Sequence, residues 1–171
     1  INKVKSQPRD FKQCLKTVLF STKDLLLLRG TPQDRRDWLD RAISQIYPAY
    51  DDRLSKYDKI RVQKNNLLKN DCIDNTLLDI YNEQLVITGA NIILLRQKFL
   101  KEIQQIASSK HKIISDSEEF SLNYTCPKEE INEICEYLKN ELEQRKNEEI
   151  ARHQSCVGPH RDDIEFKING I

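Results

Sequence analysis

The feature that most constrains this chain is the run from residue 74 to 114. There Leu78, Tyr81, Leu85, Thr88, Ile92, Leu95, Phe99 and Ile106 recur close to a three-four spacing, while Glu83, Gln84, Arg96, Lys98 and Lys101 fall off the stripe. The pattern predicts one helix of roughly 60 Å, at about 1.5 Å per residue. A helix that long cannot bury its own apolar stripe, so neighbouring helices must cover it. Both ends of the chain read as strands. The expected class is therefore α+β, mostly α, with a coiled-coil-like helical arm inserted into a sheet.

The flanks fill in that picture. Residues 14–20 form a β-prone run centred on Lys16-Thr17-Val18-Leu19-Phe20, and Ser21 with Asp24 caps a brief helical turn that Gly30 ends. Thr31, Pro32 and Asp34 then open a helix, as a cap, a residue that needs no N–H, and a negative charge at the positive end of the helix dipole. Its buried face should carry Trp38, Leu39, Ala42, Ile43 and Ile46. Pro48 breaks that run, and a second helix turns Tyr50, Leu54, Tyr57, Ile60, Leu67 and Leu68 inward. Gly89, the one glycine inside the long run, costs about 1 kcal/mol against alanine and so marks a close crossing or a bend.

Phe120, Leu122 and Tyr124 alternate like a half-buried strand, and Thr125-Cys126-Pro127 should open a further helix striped by Ile131, Ile134, Leu138 and Leu142. At the end, Ile164, Phe166 and Ile168 alternate with Glu165 and Lys167 ahead of Asn169-Gly170. This is a strand entering a hairpin turn, whose partner strand is expected beyond residue 171. Residues 1–30 and 154–171 are thus assigned to a sheet, and residues 31–153 to the helical arm.

Composition limits the function classes. With 171 residues, 38% hydrophobic and 32% charged, the chain has the balance of a soluble helical protein. Its longest apolar runs, at residues 25–28 and 92–95, are far short of the roughly 20 residues a bilayer span needs. There is no methionine, so Ile1 is expected to be an internal position of a longer protein. Five cysteines without a CxxC pair or a zinc-finger interval suggest reduced thiols in a cytoplasmic protein. Residues 1–70 hold 16 Lys and Arg against 8 Asp and Glu, and the remainder 12 against 19, which suits either a polyanion surface or internal charge pairing.

No GxxxxGK[ST] loop exists, because none of Gly30, Gly89, Gly158 and Gly170 begins one, and the three histidines lack metal-ligand spacing. The densest polar cluster is His160, Arg161, Asp162 and Asp163 on a Gly-Pro turn. It can contact phosphate or a nucleotide interface, or fasten the arm to the sheet through an Arg-Asp pair. Arg35 and Arg36, close to Asp37, Asp40 and Arg41, carry the same two readings. Arg53, Lys56, Arg61 and Lys64 on the second helix are candidates for DNA contact, or amphipathic stems covering a core edge.

Three blocks then resemble the RecF family of bacterial recombination mediators. They are Val18-Leu19-Phe20-Ser21 with Asp24-Leu25; Gly30-Thr31-Pro32 with Arg35-Arg36 and Leu39-Asp40; and Val157-Gly158-Pro159-His160-Arg161-Asp162-Asp163 with Glu165-Phe166 and Asn169-Gly170. The linking segments, Tyr57 followed by Lys64-Asn65-Asn66-Leu67-Leu68 and the run from Asp79 to Leu85 before Gly89, are similar too. Thr22-Lys23 departs from the family's usual Pro-Glu.

The resemblance implies the middle of an SMC-like, ABC-type ATPase head, with Walker A upstream and the signature and Walker B motifs downstream. The whole protein would use ATP and Mg, dimerise when ATP is bound, and bind single- and double-stranded DNA at gaps. It would help load RecA with RecO and RecR, in replication repair and the SOS response. The segment alone would be inactive and hold no cofactor. The competing reading is a non-enzymatic helical scaffold whose arm binds a protein partner.

Overall fold

The computed structural model describes residues 16–115 and 117–171. After a 3-10 turn at Thr22–Leu25 come the short α1 (Leu26–Arg29), α2 (Pro32–Ile46), α3 (Tyr50–Leu67), α4 (Asn75–Ile114), β1 (Phe120–Tyr124), α5 (Ile131–Gln144), α6 (Lys146–Arg152) and β2 (Ile164–Ile168). The chain is mostly helical with a small two-stranded sheet, as the α+β class expects.

The cap at α2 forms where the sequence places it, Thr31 and Asp34 making a reciprocal capping box. At α4 the structure adds one that the sequence reading did not name, the Asp74 side chain accepting from the Leu77 N–H. The long run is one helix of 40 residues. Its middle is covered on two sides. Leu85, Ile92 and Phe99 pack with Leu39 and Ile43 of α2 and Tyr50, Tyr57 and Ile60 of α3, while Val86, Ala90 and Ile93 meet Ile134, Leu138 and Leu142 of α5. Gly89 is a close crossing: an added Cβ would stand 3.1 Å from Pro159 and 3.3 Å from the Tyr57 ring. The stripe fails at its end, where Ile106 is 64% exposed and Ile103 packs inward instead.

β1 and β2 pair antiparallel, Leu122 opposite Phe166, and Ile164 closes the core beneath them. β2 thus has a partner within the chain, β1, which the sequence reading did not foresee. The Asn169-Gly170 turn does form, both residues at positive φ, with Ile168 and Ile171 exchanging backbone hydrogen bonds. The strand expected at residues 14–20 is not found. Residues 14 and 15 lie outside the described residues, and 16–20 have no regular structure, with Val18, Leu19 and Phe20 exposed. A β-prone run becomes a strand only against a free edge, and the two strands here take each other.

The helix expected from Thr125 begins four residues beyond Pro127, at Ile131. The Gln97 side chain of α4 donates to the carbonyls of Cys126 and Lys128, at 3.0 and 2.8 Å, and so holds this stretch out of the helical path. Gln104 treats the outer edge of β1 similarly, donating to the Phe120 carbonyl and accepting from the Leu122 N–H. A helix side chain thereby closes one edge of the sheet. Among the described residues no helix is long and apolar enough to cross a membrane.

Candidate functional site

The site is built on the turn between α6 and β2. His153 ends α6 in the left-handed region and donates from Nδ1 to the Leu68 carbonyl at 2.7 Å. Residues 155–159 are then buried. Gly158 sits at φ 121, and a Cβ there would fall 2.3 Å from the Tyr57 hydroxyl, so only glycine fits.

The turn presents four polar side chains in a row. His160 Nε2 faces the Ser155 carbonyl at 3.1 Å, an acceptor only, so Nε2 carries the proton and the Tyr57 hydroxyl donates to Nδ1 at 2.7 Å. Burial, together with the positive Arg61, Arg161 and Arg36, pushes the imidazole down to about 3 and keeps it neutral. Arg161 donates to the same Ser155 carbonyl at 3.1 Å. The Asp162 carboxylate accepts from the Tyr124 hydroxyl at 2.9 Å; burial pushes its pKa up to about 6, against that bond and the charges of Arg96 and Arg36. Asp163 takes a bidentate pair from Arg35 at 2.6 and 2.7 Å, which holds its carboxyl below the usual range.

Beneath the turn lies the group that joins these elements. Arg96 of α4, 1% exposed, donates to both Asp40 oxygens at 3.0 Å, to the Tyr50 and Tyr124 hydroxyls at 3.1 Å each, and to the Pro159 carbonyl at 2.6 Å. Burial works against its charge, but the oxygens of Tyr124, Tyr50 and Asp40 outweigh it. Sequence reading placed Arg96 off the apolar stripe. The signal was present, because 85, 89, 92, 96 and 99 form one three-four series, and a charge in that phase faces inward. Asp40, Tyr50, Tyr57 and Tyr124 take their site roles only through this packing.

The structure thus gathers Arg35, Arg36, His160, Arg161, Asp162 and Asp163 at one end of the molecule. Arg35 with Asp163 is the fastening between arm and strand. Arg36 Nη1 donates to the Asp162 carbonyl at 2.7 Å and Nη2 to Gln33 at 2.9 Å, while its Nε is buried without a partner. Of the helix candidates for DNA contact, Arg53 and Lys56 are exposed and Arg61 lies 3.1 Å from Asp58. Lys64 is a correction. It is fully buried and pairs with Glu149 at 2.6 Å, so it is not on a surface that DNA could touch; α6 covers it.

A cleft of about 420 Å³ opens between α2, α3 and the turn. Arg36, Arg61 and Arg161 line it, with Asp37, Asp58 and His160 between them and Arg96 and Asp40 at its floor. Among the described residues neither Arg36 nor Arg161 has a carboxylate within ion-pair distance, and no group of three or more His, Cys, Asp or Glu could hold a metal ion. The arrangement offers two guanidiniums, those of Arg36 and Arg161, that have no carboxylate in ion-pair contact.

No family model matches the chain. Among curated proteins it is 39% identical over 168 residues to the DNA replication and repair protein RecF of Halothermothrix orenii, covering 92% of this chain and 45% of that protein. It is 37% identical over 163 residues to RecF of Symbiobacterium thermophilum, covering 91% and 44%. A solved structure of the recombination mediator protein RecF with ATP, in the RecFOR pathway, matches with a TM-score of 0.88 at 32% identity, over 94% of this chain and 45% of that one. The chain spans a little under half the length of the curated relatives it matches.

Proposed function

This chain belongs to the RecF family, and from that premise we propose that it is the central segment of a RecF-like protein of DNA replication and repair. On this reading the whole protein binds DNA in an ATP-dependent manner as a homodimer. It works in the cytoplasm with RecO- and RecR-type partners to load RecA at gaps, including during the SOS response. The observation that carries the reading is the agreement of sequence and fold over nearly the whole chain, at 39% identity and a TM-score of 0.88. Residues 1–30 and 154–171 would belong to the ATPase head, and residues 31–153 to its helical domain.

There is no glycine-rich phosphate loop, the described residues offer no carboxylate cluster for Mg, and Asp162 and Asp163 are engaged by Tyr124 and Arg35. ATP would therefore be held mainly by the rest of the protein. What this segment supplies is a fixed frame: Arg96 and the Arg35–Asp163 pair hold helices and sheet in one relation.

The test is a chimaera in which these residues replace the matching stretch of a RecF relative, with DNA binding followed by anisotropy. ATP-dependent binding is the expected result. A chimaera that folds but binds DNA equally with and without ATP would sink the proposal, as would micromolar ATP affinity in the isolated 171-residue chain.

A further inference from the structure

We infer that the cleft between α2, α3 and the 154–161 turn seats a backbone phosphate of a nucleic-acid strand, held by Arg36 and Arg161. The inference rests on the DNA-binding reading above and adds the place and chemistry of contact. Of the four arginines lining the cleft, Arg96 is matched by Asp40 and Arg61 by Asp58, which leaves Arg36 and Arg161 without a carboxylate. Arg36 keeps a buried Nε without an acceptor, and burial and the nearby Arg96 press its pKa downward against the more weakly acting carboxylates of Asp163 and Asp162, neither of which is in ion-pair contact with it. An anion in the cleft that both side chains line supplies the ion-pair partner that neither guanidinium has.

The cleft also selects among anions. His160 has both ring nitrogens committed and stays neutral, so it adds no charge. The four arginines of the lining face three carboxylates, Asp37, Asp40 and Asp58, so the cleft carries a net charge of one, which matches the single charge of a phosphodiester better than the charge of a triphosphate. The only aromatic ring in the lining besides His160 is Tyr57, which is 1% exposed, so no ring face is free to stack a base. A site that takes backbone and no base reads DNA without regard to sequence.

The experiment titrates a labelled single-stranded oligonucleotide, and separately ATP, into the 171-residue chain across a salt series. It compares Arg161→Gln, Arg36→Gln/Arg161→Gln and the remote exposed pair Lys110→Gln/Lys112→Gln. Circular dichroism checks the fold, and Arg161 is exposed, so its single variant guards against a folding defect in the double one. The expected result is DNA affinity about tenfold weaker in Arg161→Gln, with the log–log salt slope reduced by about one, and little change in the remote pair. If the wild-type chain binds DNA but folded Arg161→Gln keeps both affinity and slope, the cleft assignment is overturned and the family reading stands. If the wild-type chain binds no DNA at low salt, the cleft assignment and DNA contact by this segment fail together. If ATP binds and the same variants abolish it, the diester assignment is overturned in favour of a nucleotide.

Discussion

Replacing Arg96 with methionine tests the central claim that the fold turns on one buried guanidinium. Methionine fills similar space and is a good helix former, so propensity and volume change little. What changes is polar satisfaction. The Arg96 side chain is 2% exposed and Asp40 17%, so Arg96→Met leaves a mostly buried carboxylate with only the Tyr50 hydroxyl as donor. Breaking a buried pair costs about 3–5 kcal/mol, and partial water access at Asp40 favours the lower end. The buried Pro159 carbonyl also loses its 2.6 Å donor, which adds roughly 1 kcal/mol. The sum is about 4 kcal/mol, or a melting temperature lower by roughly 8–16 °C for a chain of this size. Urea unfolding followed at 222 nm measures it. A loss below about 1 kcal/mol with an unchanged m-value would mean that Arg96 behaves as a surface residue and the reasoning is wrong. Adding Asp40→Asn should cost much less in the Arg96→Met background than alone, because the charge it removes is then already unpaired.

Asp162 has a folded-state pKa raised to about 6 from 3.8, so the native state holds its proton more tightly than the unfolded chain does. Its contribution to stability is complete below about pH 4 and is lost as pH rises through about 6, at most roughly 3 kcal/mol at about 1.36 per pKa unit. Asp162→Asn should therefore be at least as stable as the parent at pH 7.5 and show a flatter profile between pH 4 and 6; a steeper one in thermal melts would contradict this. Lys64→Met leaves the Glu149 carboxylate buried with the Cys156 N–H as its remaining donor, and should lower stability by about 3 kcal/mol. The same variant should leave the salt slope of DNA binding unchanged, and a changed slope would return Lys64 to the surface. Gly158→Ala drives a methyl into the Tyr57 hydroxyl at positive φ, and should cost about 3 kcal/mol in denaturant melts.

Helix positions were legible because each rests on local signals. Thr31-Pro32 with Asp34, the apolar stripe of the long run, Pro48 between two helices and Asn169-Gly170 at the hairpin need only their neighbours in sequence. The polar cluster at 160–163 was legible as a place, and an arginine-aspartate pair was one of the two readings it allowed; the structure pairs Asp163 with Arg35. Three things were hidden because each depends on a distant segment. The run at 16–20 has strand propensity but pairs with neither strand, Pro127 opens no helix because Gln97 takes its neighbours' carbonyls, and Lys64 reads as surface charge until Glu149 arrives 85 residues later. Arg96 is the instructive case. Its phase within 85–99 pointed inward, but a charge is ordinarily assigned to the solvent side unless its partners are known.

Those partners explain why a charge sits where another leucine could pack. An apolar side chain at 96 would hold the neighbouring helices together through area, which is tolerant of sliding and rotation. The guanidinium instead makes directed bonds to Asp40, Tyr50, Tyr124 and Pro159, which lie 56, 46, 28 and 63 residues away in sequence. These bonds fix α2, α3, β1 and the turn relative to one point on α4. Arg36 then ties α2 to the Asp162 carbonyl, and Arg35 ties it to the Asp163 carboxylate. The distance between Arg36 and Arg161, one on a helix and one on the turn, is therefore set by polar geometry beneath them rather than by the cleft wall. A ligand bridging that pair senses the relation of helical arm to sheet, and any movement of the arm against the sheet must first break the bonds to Arg96.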